Sequence, residues 1–276
     1  MRISVSAILP YFGLAALGVT IGAYGTLIGA GGGFLLVPVL LLLYPHESPT
    51  RITAVSLAVV LANASSGSVS YYRLRLADYV NGRWLAAATI PGAVLGAIVV
   101  GAIPRVEFEV IMGIALVLAG AFLAINPSGR HPLLTNSRFS VERTFTDAAG
   151  SIHHYRFNRG LALAVSVVVG FISSVLGIGG GIIHVPVLAT FFDFPPHVAT
   201  ATSHFVLMFT SGAGVGAHAF EGDYTGTLGL TASLAAGVLI GAPFGAALSS
   251  RVTGGWIIRL LAIALGLVGL RLMLAV

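Results

Sequence analysis

A segment of twelve residues occurs twice in this chain of 276 residues, 148 positions apart. The copies, Gly29–Leu40 and Gly177–Leu188, are identical at eight of the twelve positions. Each holds a Gly-x-Gly-Gly-Gly run followed by Val-Pro-Val-Leu, inside a long apolar stretch. Backbone that cannot stay helical at membrane depth is tolerated only where protein buries it or where it lines a wet cavity. Paired interruptions in the two halves of a duplicated membrane protein indicate the central site of a transporter.

The composition places the chain in a membrane. Hydrophobic residues make up 57% of it and charged residues only 8%, whereas soluble domains carry roughly 25% charged residues. The 14 basic residues, all arginine, lie mainly between apolar segments, which is typical of charge that sets membrane topology rather than of a nucleic-acid surface. The chain has no cysteine, which excludes disulfides, thiolate catalysis and thiolate metal sites. We therefore expect an all-α polytopic membrane protein.

Ten apolar segments are predicted to be helical. Two of them follow the glycine runs and have eleven residues each, about 16 Å of helix and half of the hydrocarbon core. We expect the first long segment to be a retained span rather than a cleaved signal. The eight long segments are Ile8–Ile28, Ile52–Tyr72, Trp84–Ile103, Val110–Ile125, Leu161–Leu176, Val198–Phe220, Leu228–Leu248 and Ile257–Val276, and the short ones are Phe34–Tyr44 and Ile182–Phe192.

The relative orientation of the halves depends on how the short segments are counted. Four crossings in each half make the halves parallel, and five segments in each half make them inverted. The loop after the second long segment carries Arg73 and Arg75, whereas its counterpart carries Glu221 and Asp223. Since positive charge favours the cytoplasmic side, this reversal favours two inverted repeats of five segments, each with a glycine-rich broken or re-entrant helix.

The polar stretch between the halves divides the chain into three parts. We predict transmembrane repeats at 1–125 and 159–276 and a cytoplasmic loop at 126–158. Within that loop, alternating residues at 139–146, turn residues at 147–150 and an extended pattern at 151–157 predict a β-hairpin. A plain linker and a regulatory or docking element are both open readings.

The glycine runs are the first candidate binding site. No Lys-Ser/Thr pair follows them, so they are not Walker loops, and no strand precedes them as a dinucleotide fingerprint requires. Several backbone N–H groups at a half-helix N-terminus favour an anion. The alternative is that glycine only permits close helix packing. The candidate residues are Gly29, Gly31, Gly32, Gly33, Gly177, Gly179, Gly180 and Gly181.

Polar residues within the apolar segments are the second group of candidates. Ser56 and Asn63 are seven residues apart and share a helix face, and Ser203 and His204 follow the second run. His184 lies three residues beyond Gly181, where it could contact an anion or carry its proton. Interhelical hydrogen bonding explains such residues as well. No metal ligand set and no cofactor motif is predicted.

The paired Gly-x-Gly-Gly-Gly-x-x-x-Val-Pro-x-Leu motifs resemble those of the TauE/SafE family of sulfite and organosulfonate exporters, over nearly the whole chain. The resemblance implies a permease of the bacterial or archaeal cytoplasmic (inner) membrane for a small sulfur-containing anion such as sulfite, sulfoacetate or thiosulfate. We expect a secondary transporter in the lipid bilayer, with a proton or a sodium ion as the candidate coupling ion. No nucleic-acid partner is expected, and the substrate, the direction of transport, the coupling ion and the oligomeric state stay open. A permease for another ion or a metal cation is the alternative, disfavoured because all nine acidic residues lie in loops or at segment ends. An intramembrane enzyme lacks a catalytic signature.

Overall fold

The computed structural model describes residues 5–125, 138–249, 251–252 and 254–275. Within these residues each of the ten predicted apolar segments forms a helix, and a short 3₁₀ turn at Val100–Ala102 extends the fourth. The helices are α1 Val5–Leu27, α2 Gly33–Leu43, α3 Pro49–Leu74, α4 Tyr79–Val99, α5 Arg105–Ile125, α6 Arg159–Val175, α7 Gly181–Phe191, α8 Pro196–Glu221, α9 Leu228–Ser249 and α10 Gly254–Ala275.

Local sequence signals fix where several helices begin. Ser48 accepts a hydrogen bond from the backbone N–H of Arg51, and Pro49 occupies the first turn of α3. Asp78 caps α4 and Asn158 caps α6 in the same manner. In the described part of the chain, α3, α4 with its 3₁₀ turn, α8 and α9 are long and apolar enough to cross a membrane. The protein is a multi-pass, predominantly helical membrane protein.

In two helix pairs, α1 with α9 and α4 with α6, the two helices run parallel and pack closely. Glycine at every fourth residue of α9 lets the backbone of α1 approach directly, and glycines in α4 and α6 do the same for that pair. The close pairs are Ala15 with Gly237, Val19 with Gly241 and Ala23 with Gly245 for α1 and α9, and Thr89 with Gly170 and Gly96 with Ser174 for α4 and α6.

Helices that correspond in the sequence duplication pack antiparallel. In α3 and α8, Leu57 contacts Gly214, whereas Ser68 donates a hydrogen bond to the carbonyl of His204. The described parts of α5 and α10 run in opposite directions too, because Gly113 lies beside Gly269 and Gly120 beside Ala262.

The predicted hairpin is present between the halves. Strand β1 (Ser140–Thr146) pairs antiparallel with β2 (Ile152–Asn158), in a register that places Thr144 opposite His154. The first part of the predicted loop, residues 126–137, lies outside the described residues. Tyr155 and Phe157 of β2 are buried in a hydrophobic cluster with residues of α4, α6, α7 and α8.

The loops divide into two faces. The hairpin face carries the hairpin, the α3–α4 loop and the α7–α8 loop, and the opposite face carries the α2–α3, α4–α5 and α8–α9 loops. Of the twelve described arginines, nine lie at or within about two turns of the hairpin face. These are Arg73, Arg75, Arg83, Arg138, Arg143, Arg156, Arg159, Arg251 and Arg259, against Arg51, Arg105 and Arg271 at the opposite face.

Candidate substrate site at the paired glycine runs

Both glycine runs leave the helical conformation between a long helix and a short one. α1 ends at Leu27 and α2 begins at Gly33, and α6 ends at Val175 and α7 begins at Gly181. The chain turns through the left-handed region, which glycine adopts without steric cost. Positive φ angles between 69° and 111° occur at Gly29, Gly31, Gly32, Gly177, Gly179 and Gly180.

The two runs pack directly against each other. A Cβ atom added to Gly33 would lie 2.9 Å from the carbonyl oxygen of Gly177, and one added to Gly181 would overlap the carbonyl of Gly29. The N-terminus of each half-helix therefore abuts the glycine run of the other half. Val60 of α3 and Leu207 of α8 fill the centre, where they contact both runs.

Buried side chains hold the first run in place. Asn63 donates from Nδ2 to the carbonyl oxygen of Gly31 at 2.9 Å, and its Oδ1 accepts a hydrogen bond from Thr26 at 3.1 Å. Tyr71 donates to the carbonyl oxygen of Thr26 at 2.7 Å. Nε2 of His204 lies 3.5 Å from Oγ1 of Thr26, so α1, α3 and α8 meet at this threonine.

The second run is held by serine. Ser56 donates to the carbonyl oxygen of Gly177 at 2.6 Å, and Thr53, one turn earlier on α3, packs against the same glycine. Ser211 of α8 stands beside Gly179, but its hydroxyl donates to its own helix. Polar side chains of α3 thus hold both runs, but different residue types hold each of them.

Four buried hydroxyl groups next to the runs have no hydrogen-bond partner in the described part of the chain. Thr200 and Ser203 project from α8, where Thr200 contacts Gly29, and Ser173 and Ser174 project from α6, where Ser173 lies near Gly180. All four residues are 0% exposed. A buried hydroxyl without a hydrogen-bond partner costs about 1–3 kcal/mol, so each of these four groups destabilises the fold unless a further partner satisfies it. Neither half-helix has a side-chain cap among the described residues, which leaves its first N–H groups available.

His184 lies one turn into α7. Its Nε2 atom is 3.0 Å from Oγ of Ser166 on α6, and Ser166 also donates to the carbonyl of Ala162. Ser56 and Asn63 thus bond directly to the glycine runs, His204 reaches Thr26 and Asn63 beside the first run, and Ser203 precedes His204 on α8. The described hydrogen bond of His184 is made to α6.

Several polar residues of this region were not predicted from the sequence. Thr26 and Ser174 occupy corresponding positions, each three residues before the first glycine of its run. A hydroxyl residue repeated at the same place in both halves was the available signal. Tyr71 carries no such signal, because its counterpart in the second half is His218.

A cavity of about 300 Å³, the vestibule, opens at the face opposite to the hairpin. At its mouth Arg51 pairs with Glu47 at 3.2 Å, and its inner end is formed by Val55, the residue before Ser56. The vestibule is lined by Tyr11, Leu14, Leu40, Tyr44, Glu47, Arg51, Ile52, Val55, Gly226, Thr227, Gly229 and Leu230.

At the hairpin face a buried carboxylate joins the hairpin to the helices. Tyr155 donates to Oδ2 of Asp78 at 2.6 Å, Arg143 lies 3.3 Å from Oδ1, and the N–H of Asp78 donates to Thr202 at 2.9 Å. Burial raises the pKa of Tyr155, and the nearby charge of Asp78 raises it further, so the phenol stays protonated and keeps donating.

Comparisons with known proteins agree over nearly the whole chain. The family model described as sulfite exporter TauE/SafE matches residues 14–272. The probable membrane transporter protein YunE of Bacillus subtilis is 31% identical over 265 residues, which cover 94% of this chain and 96% of that protein. The probable membrane transporter protein MJ0441 of Methanocaldococcus jannaschii is 27% identical over 212 residues, covering 73% of this chain and 70% of that protein. No solved structure matches.

Proposed function

The chain belongs to the sulfite exporter TauE/SafE family, and from that membership we propose that it is a secondary transporter of a small sulfur-containing anion. It is a multi-pass membrane transporter rather than an enzyme. Sulfite, sulfoacetate and thiosulfate are the proposed substrates, and the site lies at the paired glycine runs.

The four unpartnered hydroxyls on α6 and α8 are the observation that carries this proposal. An oxyanion presents only hydrogen-bond acceptors, so it needs donors from every side when it leaves water. Thr200, Ser203, Ser173 and Ser174 can each donate one hydrogen bond. The uncapped N-termini of α2 and α7 add backbone N–H groups and the favourable end of a helix dipole.

The helix directions support an inverted-repeat mechanism. We propose that residues 1–125 and 159–276 are repeats related by a two-fold axis in the membrane plane. The antiparallel packing of α3 with α8, and the equivalent parallel packing of α1 with α9 and of α6 with α4, support that axis. The excess of arginine at the hairpin face supports a cytoplasmic position for residues 126–158. Rocking of one repeat against the other would then expose the site to each side in turn.

Coupling completes the proposed mechanism. A secondary transporter must draw on an ion gradient, and we propose a proton or a sodium ion. His204 faces Thr26 and Asn63 at the first run, and it is the proposed group through which a coupled proton would act. The coupling ion is identified by imposing a pH gradient or a sodium gradient across proteoliposomes that contain the protein, and by measuring which gradient drives transport.

The proposal is tested in proteoliposomes that contain radiolabelled sulfite. We expect transport that is competed by thiosulfate and sulfoacetate better than by acetate, and that is insensitive to divalent cations. Ser203→Ala and Thr200→Val should each lower the rate, because they remove hydroxyls that have no other described partner. Ser65→Ala is the matched control, since Ser65 donates to Leu61 of its own helix. Accumulation of a divalent cation without sulfite movement would instead establish the cation-permease alternative.

A further inference from the structure

The vestibule has a counterpart at the hairpin face, which the sequence duplication identifies. Vestibule residues Leu14, Leu40, Tyr44, Ile52 and Leu230 correspond, at offsets of 145 to 148 residues, to Ala162, Leu188, Phe192, Ala199 and Leu85. All five counterparts are at most 1% exposed and belong to one hydrophobic cluster, whereas Leu14, Tyr44 and Leu230 of the vestibule are only partly buried. Corresponding residues of the two repeats therefore line an open cavity at one face and form a filled hydrophobic cluster at the hairpin face.

Side chains of the hairpin fill the counterpart of the vestibule. Tyr155 and Phe157 belong to that cluster and are each 1% exposed, although they lie on a two-stranded hairpin rather than on a helix. Their rings lie with centroids 4.3 Å and 4.9 Å from that of Phe194, in the α7–α8 loop. No residue of the first repeat corresponds to these two aromatic residues, because the hairpin lies between the repeats.

Polar contacts hold the hairpin in this position. Asp78 accepts from Tyr155 of β2 and pairs with Arg143 of β1, so both strands are tied to the start of α4. The N–H of Asp78 in turn donates to Thr202, the neighbour of Ser203. The contacts of the hairpin thus reach one residue from the hydroxyls of the proposed substrate site.

We propose that the hairpin is the cytoplasmic gate of the transport path, with Tyr155 and Phe157 as its gating residues. In this structure the gate is closed while the vestibule is open at the other face. The substrate can pass only after the side chains of Tyr155 and Phe157 leave the cluster. This movement of the hairpin breaks its contacts with Asp78. The identity of what passes rests on the proposed function, whereas closure by the hairpin is independent of the substrate.

The absence of native cysteine allows a direct test by cross-linking. In Leu74→Cys/Ala148→Cys, at positions where the N–H of Ala148 donates to the carbonyl oxygen of Leu74 at 3.1 Å, oxidation should tie the hairpin to α3 and abolish transport, and reduction should restore it. The matched control is Thr144→Cys/His154→Cys, which joins directly paired positions of the two strands and leaves the hairpin free to move. Full transport by the first pair in its oxidised form would overturn the gate.

Accessibility tests the gate without any substrate. We expect Ala199→Cys to resist a membrane-impermeant maleimide from the cytoplasmic side, and to react once Tyr155→Ala and Phe157→Ala are added. Arg51→Cys, at the exposed mouth of the vestibule, should react from the outside in both backgrounds, which also verifies folding. Tyr155→Phe keeps the ring but loses the bond to Asp78, so it should raise the labelling of Ala199→Cys about tenfold.

The outcomes separate the two proposals. Equal labelling of Ala199→Cys with and without the aromatic side chains would overturn the gate, even if sulfite is transported. The expected labelling together with no sulfite transport would sustain the gate and reject the proposed substrate.

Discussion

Ser56 donates a hydrogen bond of 2.6 Å to the carbonyl oxygen of Gly177, which lies 121 residues later in the chain. A side chain of the first half thereby satisfies a backbone group that the broken helix of the second half leaves free. The glycine runs also abut each other, Gly33 against Gly177 and Gly181 against Gly29. Neither half can form this centre alone, so a rearrangement of one half is transmitted directly to the other.

Removal of the Ser56 hydroxyl should disturb the centre. Ser56→Ala leaves the Gly177 carbonyl buried without this donor, at a cost of about 1–3 kcal/mol. We expect a lower midpoint of thermal unfolding in detergent and a lower sulfite transport rate. Ser65→Ala, which removes a hydroxyl bonded within its own helix, should change neither. If both variants behave like the parent protein, the Ser56 bond contributes nothing to the site.

Gly31 should tolerate no side chain. Its φ of +72° is unfavourable for alanine, and a Cβ atom would meet Leu207 and would lie 3.1 Å from Val60. We expect Gly31→Ala to lower both expression and thermal stability, whereas Gly13→Ala should be neutral or stabilising. Gly13 is helical and an added Cβ atom has nothing within 4 Å. Size-exclusion profiles and thermal unfolding curves of the two variants test this expectation. Equal stability of Gly31→Ala and Gly13→Ala would show that the glycine run accommodates a side chain.

The sequence predicted the helices and the hairpin closely, because apolar length, proline and glycine are local signals. Ser56, Asn63 and Ser203 were predicted as site residues because they are small polar residues within apolar segments, and their role in binding stays a prediction. The partners of these residues were not predictable. That Ser56 serves Gly177 rather than the run of its own half depends on how the halves pack, which one sequence does not encode locally. The burial of Tyr155 and Phe157 was missed for the same reason.

His184 is expected to act through the packing of α7. The sequence alone placed it against the anion, and the described contact is with Ser166 on α6. We expect His184→Leu to lower transport and Ser166→Ala to reproduce most of that loss, because both variants remove the same interhelical bond. Transport is measured between pH 5.5 and 8. A pH-dependent loss in His184→Leu alone would assign the histidine to the anion or its proton, and normal transport by both variants would leave it no role in the cycle.

The turn of the hairpin should depend on the charge of Asp147. Desolvation alone would raise the pKa of this carboxyl group, but the hydrogen bonds from His153 and from the N–H groups of Ser151 and Ala149 outweigh it, and the pKa lies below its ordinary value. A lowered pKa in the folded state means that the stabilisation is complete above the ordinary value and is lost as the pH falls through the lowered one. Acidification should therefore loosen the turn only below about pH 4.

Hydrogen exchange of the hairpin measures this effect. Asp147→Asn should reduce backbone protection in the turn at pH 7 and remove the further loss on acidification. Glu142→Gln is the matched control, since Glu142 lies on the same hairpin and is largely exposed. Protection in Asp147→Asn that equals that of the parent at pH 7 would show that the carboxylate does not stabilise the turn.

The inverted relation of the two repeats predicts opposite accessibility for corresponding loops. Arg73 and Glu221 lie at the ends of the corresponding helices α3 and α8, and both are exposed. Because α3 and α8 run antiparallel, their ends should face opposite compartments. Arg73→Cys should react with an impermeant maleimide only in inside-out vesicles, and Glu221→Cys only in right-side-out vesicles. The cysteine-free parent provides the background. Parallel repeats would instead expose both cysteines on the same side, and that result would remove the two-fold axis in the membrane plane together with the alternating-access mechanism built on it.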